Sequence, residues 1–123
     1  MSHITRLKIS IVNKFKLMSI VQDMGYTCID STRVITAHDD AEVRADMYLK
    51  EHPSVGFSKR DGAHEIVGEF WRTGLNESRF KKEIESRYSL SSIMDEASQY
   101  GYVMGGDIVV KRDGSLEVEL LQA

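Results

Sequence analysis

The chain has 123 residues, a formal net charge of −3, 41% hydrophobic and 28% charged residues, and a single cysteine. That length suits one domain able to bury a core without disulfides or a structural metal, and the composition excludes wholesale disorder. The charge balance argues against a broad nucleic-acid footprint, which needs a basic face, and Cys28 has no second cysteine with which to form an internal disulfide.

In chain order, Ile4, Leu7, Ile9 and Ile11 with Arg6, Lys8 and Ser10 between most of them alternate at period two, which predicts a half-buried strand. Asn13 is placed to cap a helix whose apolar residues Leu17, Met18, Val21 and Met24 recur at three- and four-residue steps, and Gly25 is placed to end it. Strands are expected at Tyr26–Ile29 and Arg33–Ala37, with His38–Asp40 as a connection. Cys28, inside the first of these, reads as a buried structural thiol rather than a nucleophile.

Glu42–Leu49 alternates again and reads as one strand, and His52-Pro53-Ser54 breaks the pattern. Val55–Lys59 and Glu65–Trp71 are expected as paired strands across Lys59-Arg60-Asp61-Gly62. After the polar loop RTGLNES, Asn76 can cap a second helix with Phe80, Ile84 and Tyr88 on one face and Leu90, Ile93, Met94 and Ala97 further on. Ser89–Ser92 is a candidate interruption, and Gly101 ends the helix. Tyr102–Lys111 and Ser115–Leu121 then form a hairpin across a second copy of KRDG, Lys111–Gly114. Asp-Gly between alternating runs signals a tight turn, so both copies read as solvated turns rather than phosphate grips.

Aligning Gly25 with Gly101 puts Leu17 on Ile93, Met18 on Met94, Val21 on Ala97 and Tyr26 on Tyr102. This helix-then-strands pseudo-repeat predicts an α+β fold over residues 1–123 as a single domain: one antiparallel sheet with two helical segments packed on one face. By the same reasoning Leu17, Val21, Phe80, Ile84, Ile93 and Ala97 are expected to be buried.

The opening MSHITRLKISI, the segment VGFSKRDGAHEIVGEFW, the stretch ESRYSLSSIMDEASQYGY and the closing DGSLEVEL together resemble a family of short uncharacterised proteins. It is typified by the hypothetical chloroplast open reading frame thirty-five products of algal plastids and cyanobacteria, with further members in bacteria and phages. The resemblance runs in order over nearly the whole chain. Ile4 departs from the family's usual Met-Ser-His-Phe start, and Glu69-Phe70-Trp71-Arg72 departs from its aspartate-tryptophan-tryptophan-glycine stretch. It implies a small α+β domain in a cytoplasmic or stromal setting and carries no established activity.

Few residues suggest chemistry. His3, His38, His52 and His64 lack the spacing of two ligands on one helix turn. His38-Asp39-Asp40 is the one stretch offering imidazole and carboxylates to a divalent metal, as a hydrolase would need, but a solvated connection is the plainer reading. No Gly-x-Ser-x-Gly elbow occurs. Gly105-Gly106 is not followed by a helix, so a bulge or turn is expected there rather than a phosphate cradle. Glu65, Glu69, Glu117 and Glu119 alternate as on the solvent face of a sheet, and Arg79, Lys81, Lys82 and Arg87 interleave with Glu77, Glu83 and Glu85 as on a salt-paired, solvent-facing side of a helix.

Trp71 and Arg72 are the candidate binding residues, because tryptophan and arginine are enriched at interaction hot spots. The competing expectation for Trp71, and the plainer one, is a core position covering the end of the helix layer. The expected function is a non-enzymatic binding or adaptor module acting through an unidentified protein partner, with no cofactor. The alternatives are a nucleic-acid binder stacking bases on Tyr26, Phe57, Trp71 or Tyr102 and, last, the metal-dependent hydrolase. With no apolar run near the ~20 residues of a membrane span, the expected setting is cytoplasmic and free of membrane contact.

Overall fold

A computed structural model describes residues 3–71 and 73–122. The chain divides into two compact units, Met1–Glu77 and Ser78–Ala123. The first contains β1 (Thr5–Lys8), α1 (Lys14–Asp23), β2 (Cys28–Ile29), β3 (Arg33–Thr36), β4 (Glu42–Ala45), β5 (Met47–Leu49), β6 (Val55–Arg60) and β7 (Ala63–Gly68). From the boundary onward come α2 (Glu77–Gln99), β8 (Tyr102–Met104), β9 (Val109–Val110), β10 (Leu116–Glu117) and β11 (Leu120–Gln122). The fold is α+β, and every strand pairing among the described residues is antiparallel.

The first unit is built on a five-stranded sheet of order β1-β7-β6-β5-β2. Its helix begins and ends where local chemistry dictates. The Asn13 side-chain oxygen accepts the Lys16 N–H at 3.0 Å, satisfying a donor that the first turn leaves without a helical partner. At the other end Gly25 takes φ +95°, its N–H reaches Gln22 O, and the Tyr26 N–H reaches Val21 O. That paired closure of the last carbonyls needs a left-handed residue, which glycine supplies without steric cost. Leu17, Ile20 and Val21 face inward and are buried.

The register rows Met47, Phe57 and Ile66 on one face of the sheet, and Tyr48, Gly56 and Val67 on the other. On the second face the β3–β4 hairpin packs Ile35, Val43 and Ala45 with Val67. It approaches so closely that a Cβ on Gly56 would lie 2.8 Å from Ala45 Cβ and 2.5 Å from Met47 O. With both faces covered, β7 is buried from His64 to Gly68. Glu65 is therefore only 4% exposed, contrary to its expected solvent position. The Arg6 guanidinium on the neighbouring strand pairs with its carboxylate and offsets the desolvation. His64, also buried, donates both its backbone N–H and its ring Nδ1–H to Ile11 O, at 2.9 and 2.7 Å.

The run Glu42–Leu49 is two strands. At Asp46 the backbone N–H donates to Phe57 O, while the side chain accepts the Lys59 N–H at 2.9 Å. From there β4 leaves the main sheet to pair with β3, and β5 stays between β2 and β6. Burial still alternates through the break at Val43, Ala45, Met47 and Leu49, so the hydrophobic pattern carries no trace of it.

In the second unit, α2 runs unbroken through Ser89–Ser92. Glu83 is flanked one turn on either side by Arg79 and Arg87, with Arg87 Nε 3.1 Å from its carboxylate; the charges pair as expected, but Glu83 is buried rather than on a solvent face. Phe80 and Ile84 are buried, but Ile93 is 52% exposed, contrary to the pseudo-repeat. The strands after Gly101 do not extend the five-stranded sheet. They form two two-stranded ladders, β9–β10 and β8–β11. The ladders belong to one hairpin: Gly105 N–H donates to Glu119 O in the β8–β11 register, and the register slips over residues 106–108 before β9. Of the glycine pair, Gly106 falls in the interruption expected there.

The KRDG copies are both turns, of different types. In the first, Arg60 pairs with Ala63, and Asp61 and Gly62 have φ +53° and +84°, a two-residue primed turn. In the second, Lys111 pairs with Ser115 around three residues: Lys111 N–H donates to Ser115 O, Gly114 N–H to Lys111 O, and Gly114 alone of the loop has positive φ. Ser115 N–H and hydroxyl both donate to Asp113 Oδ1, at 2.9 and 2.6 Å.

Candidate functional site

Phe70 and Trp71 are consecutive aromatics after β7, where the chain enters a turn closed by Thr73 N–H donating to Phe70 O. Phe70 is 6% exposed and serves the core, while Trp71 is 49% exposed. The expectation of a core tryptophan is corrected on that ground: the position beside it fills the core. Its companion in the expected binding pair, Arg72, lies outside the described residues.

Trp71 stands at a cleft of about 450 Å³ lined by Thr36, Ala37, His38, Asp40, Ser54 and Glu69. Three segments build it. The end of β3 and its turn supply Thr36 to Asp40, the break after Pro53 supplies Ser54, and the exit from β7 supplies Glu69 and Trp71. Ser54 clamps the exit: its carbonyl accepts the Glu69 N–H at 2.8 Å, and its hydroxyl donates to Glu69 O at 2.8 Å. Gly68 permits this approach, since a Cβ there would lie 2.0 Å from Ser54 O. The His38 and Trp71 ring centroids are 6.4 Å apart at 52°.

The His38–Asp40 turn repeats the hydrogen bonding of the second KRDG turn. Ala37 N–H donates to Ala41 O, Asp40 N–H to Ala37 O, and Ala41 N–H to Asp39 Oδ1, with Asp40 at φ +66° in the place that Gly114 holds. Asp39 is thereby committed to closing its turn. Among the described residues no group of three or more His, Cys, Asp or Glu side chains is arranged to hold a metal ion. The structure thus brings His38 and Asp40 to Trp71, which the sequence reading had kept apart as separate candidates. Glu69 and Ser54 escaped that reading. Only the two-residue step from Glu69 to Trp71, which would put them on one side of the strand expected there, hinted at the first.

The aromatics considered for base stacking differ in exposure. Phe57 is fully buried, and Tyr26 is half-buried and edge-on to His52 at 5.9 Å. Tyr102 belongs to the second unit. Cys28 is buried, and that burial, with the Asp30 carboxylate adding to it against the opposing Lys14, pushes its thiol up to about 11. Burial and a raised pKa are the surroundings of a structural thiol, as expected of it. Among the described residues no helix is long and apolar enough to cross a membrane.

A family model described as "Protein of unknown function (DUF1257)" matches residues 20–118. The chain belongs to that family. The match spans the cleft, Trp71 and both KRDG turns, and leaves out the opening MSHITRLKISI. No curated protein and no solved structure matches the chain.

Proposed function

We propose that this DUF1257 protein is a small, non-enzymatic binding module that engages a protein partner through the Trp71 cleft. One observation carries this reading. A tryptophan half exposed at the rim of a concave, polar-lined site sits beside a phenylalanine that already fills the core. Tryptophan is the residue type most enriched where interfaces concentrate their binding energy. Arg72, next in the chain, is the second residue we assign to the interface, on its type and position. The likeness to the plastid reading-frame products supports a stromal or cytoplasmic setting for such a module.

The test is affinity capture from the native host with the wild-type chain and Trp71→Ala, each first checked by a denaturant melt. The expected result is loss of the captured partner with the unfolding free energy moved by no more than about 0.5 kcal/mol, as for other surface positions. Retention of the partner by Trp71→Ala would overturn the proposal. So would a nuclease-sensitive capture, which would point to nucleic acid instead.

A further inference from the structure

We infer that the Trp71 cleft receives a lysine or arginine side chain of the partner. The inference rests on the proposed function and specifies its chemistry. The described lining carries two carboxylates, Asp40 and Glu69, and no lysine or arginine. Neither carboxylate forms a hydrogen bond or ion pair with another described residue. Beside them stands the exposed indole of Trp71.

An aromatic face together with carboxylates is the arrangement that attracts an ammonium or guanidinium group, through the ring quadrupole and through direct pairing. A guanidinium adds planar stacking on the ring. An anionic group would meet two like charges. A neutral apolar group would strip water from both carboxylates without replacing it. Of the side chains a partner can offer, only the basic ones satisfy ring and carboxylates at once.

Trp71 is the only tryptophan in the chain, so its fluorescence reports on this site alone. The experiment titrates the intact protein with N-acetyl-lysine amide, N-acetyl-arginine amide and N-acetyl-norleucine amide at constant ionic strength. The norleucine probe keeps the aliphatic stem and removes the charge. Asp40→Asn with Glu69→Gln removes the two cleft carboxylates, and asparagine tolerates the left-handed backbone at position 40. Glu96→Gln with Glu119→Gln changes net charge equally outside the cleft.

Both cationic probes are expected to give saturable changes, with a dissociation constant about tenfold higher in the cleft double variant and unchanged in the control pair. Norleucine binding as strongly as lysine, or a cleft variant binding like wild type, would overturn the inference. Capture separates it from the proposed function. If Trp71→Ala loses the partner while the cationic probes fail, the inference falls and the function stands. If the probes bind and Trp71→Ala still captures the partner, the cleft is not the partner site and both fall.

Discussion

Gly62 and Gly114 end the same four-residue word, both at positive φ, yet their surroundings differ. A Cβ on Gly62 would meet nothing within 4 Å, whereas one on Gly114 would lie 2.5 Å from Arg79 O and 2.9 Å from Glu83 N on α2. Alanine at Gly62 is expected to cost the left-handed penalty alone, about 1–2 kcal/mol. Gly114→Ala should cost at least about 1 kcal/mol more, because the turn must also lift from the helix. Urea melts of the two variants check the order, and equal losses would contradict the packing of the second turn. Replacing Lys59 and Arg60 together should change stability by about 0.5 kcal/mol or less. Cys28 gives a pH prediction at the same scale. Its folded-state pKa is raised from 9.0 to about 11, so the unfolded chain loses this proton first. The stabilisation is complete below about pH 9 and is lost as pH rises toward 11. The wild type should lose stability over that window relative to Cys28→Ala, and parallel curves would refute the raised pKa.

Helices and strands here differ in how much of their environment they carry in their own residues. In α1 the apolar spacing, the Asn13 cap and the Gly25 stop all agree with the burial of Leu17 and Val21. In α2 the same spacing marks two stretches, one buried at Phe80 and Ile84 and one exposed at Ile93. Periodicity identifies a face and not what covers it. Truncating a buried leucine or isoleucine leaves a cavity and usually costs about 2–5 kcal/mol, so Leu17→Ala and Ile84→Ala should lower the unfolding midpoint sharply. Ile93→Ala should move stability by about 0.5 kcal/mol or less. A large loss at Ile93 would mean that its side chain is covered in solution. Among the strands, Glu65 and Glu69 looked alike in the sequence. The hairpin covering β7 buries the first, and the chain leaving the sheet frees the second for the cleft.

For the molecule as a whole, net charge of −3 and a sheet covered on the face that carries Gly56 and Val67 leave little for a nucleic-acid backbone to follow. Titration with a single-stranded oligonucleotide at about 0.15 M salt is expected to leave Trp71 fluorescence unchanged. Quenching that weakens steeply with added salt would signal counterion release and favour the nucleic-acid reading.

What the sequence determined alone is what depends on neighbours within a few residues. The Asn13 cap, the Gly25 and Gly101 stops and the two Asp-Gly turns all follow from local backbone geometry. The α+β class follows from their order. Tertiary structure decided whatever requires a second segment to arrive. The hairpin closing over Gly56 makes β7 a buried strand and Glu65 a buried acid. The Asp46 hydrogen bonds to β6 divide one hydrophobic run between two sheets. Ser54 gripping the exit of β7 carries Glu69 and Trp71 to the turn that presents His38 and Asp40. No spacing rule relates those residues, because their proximity is set by strand pairing across the sheet and not by the period of any one element.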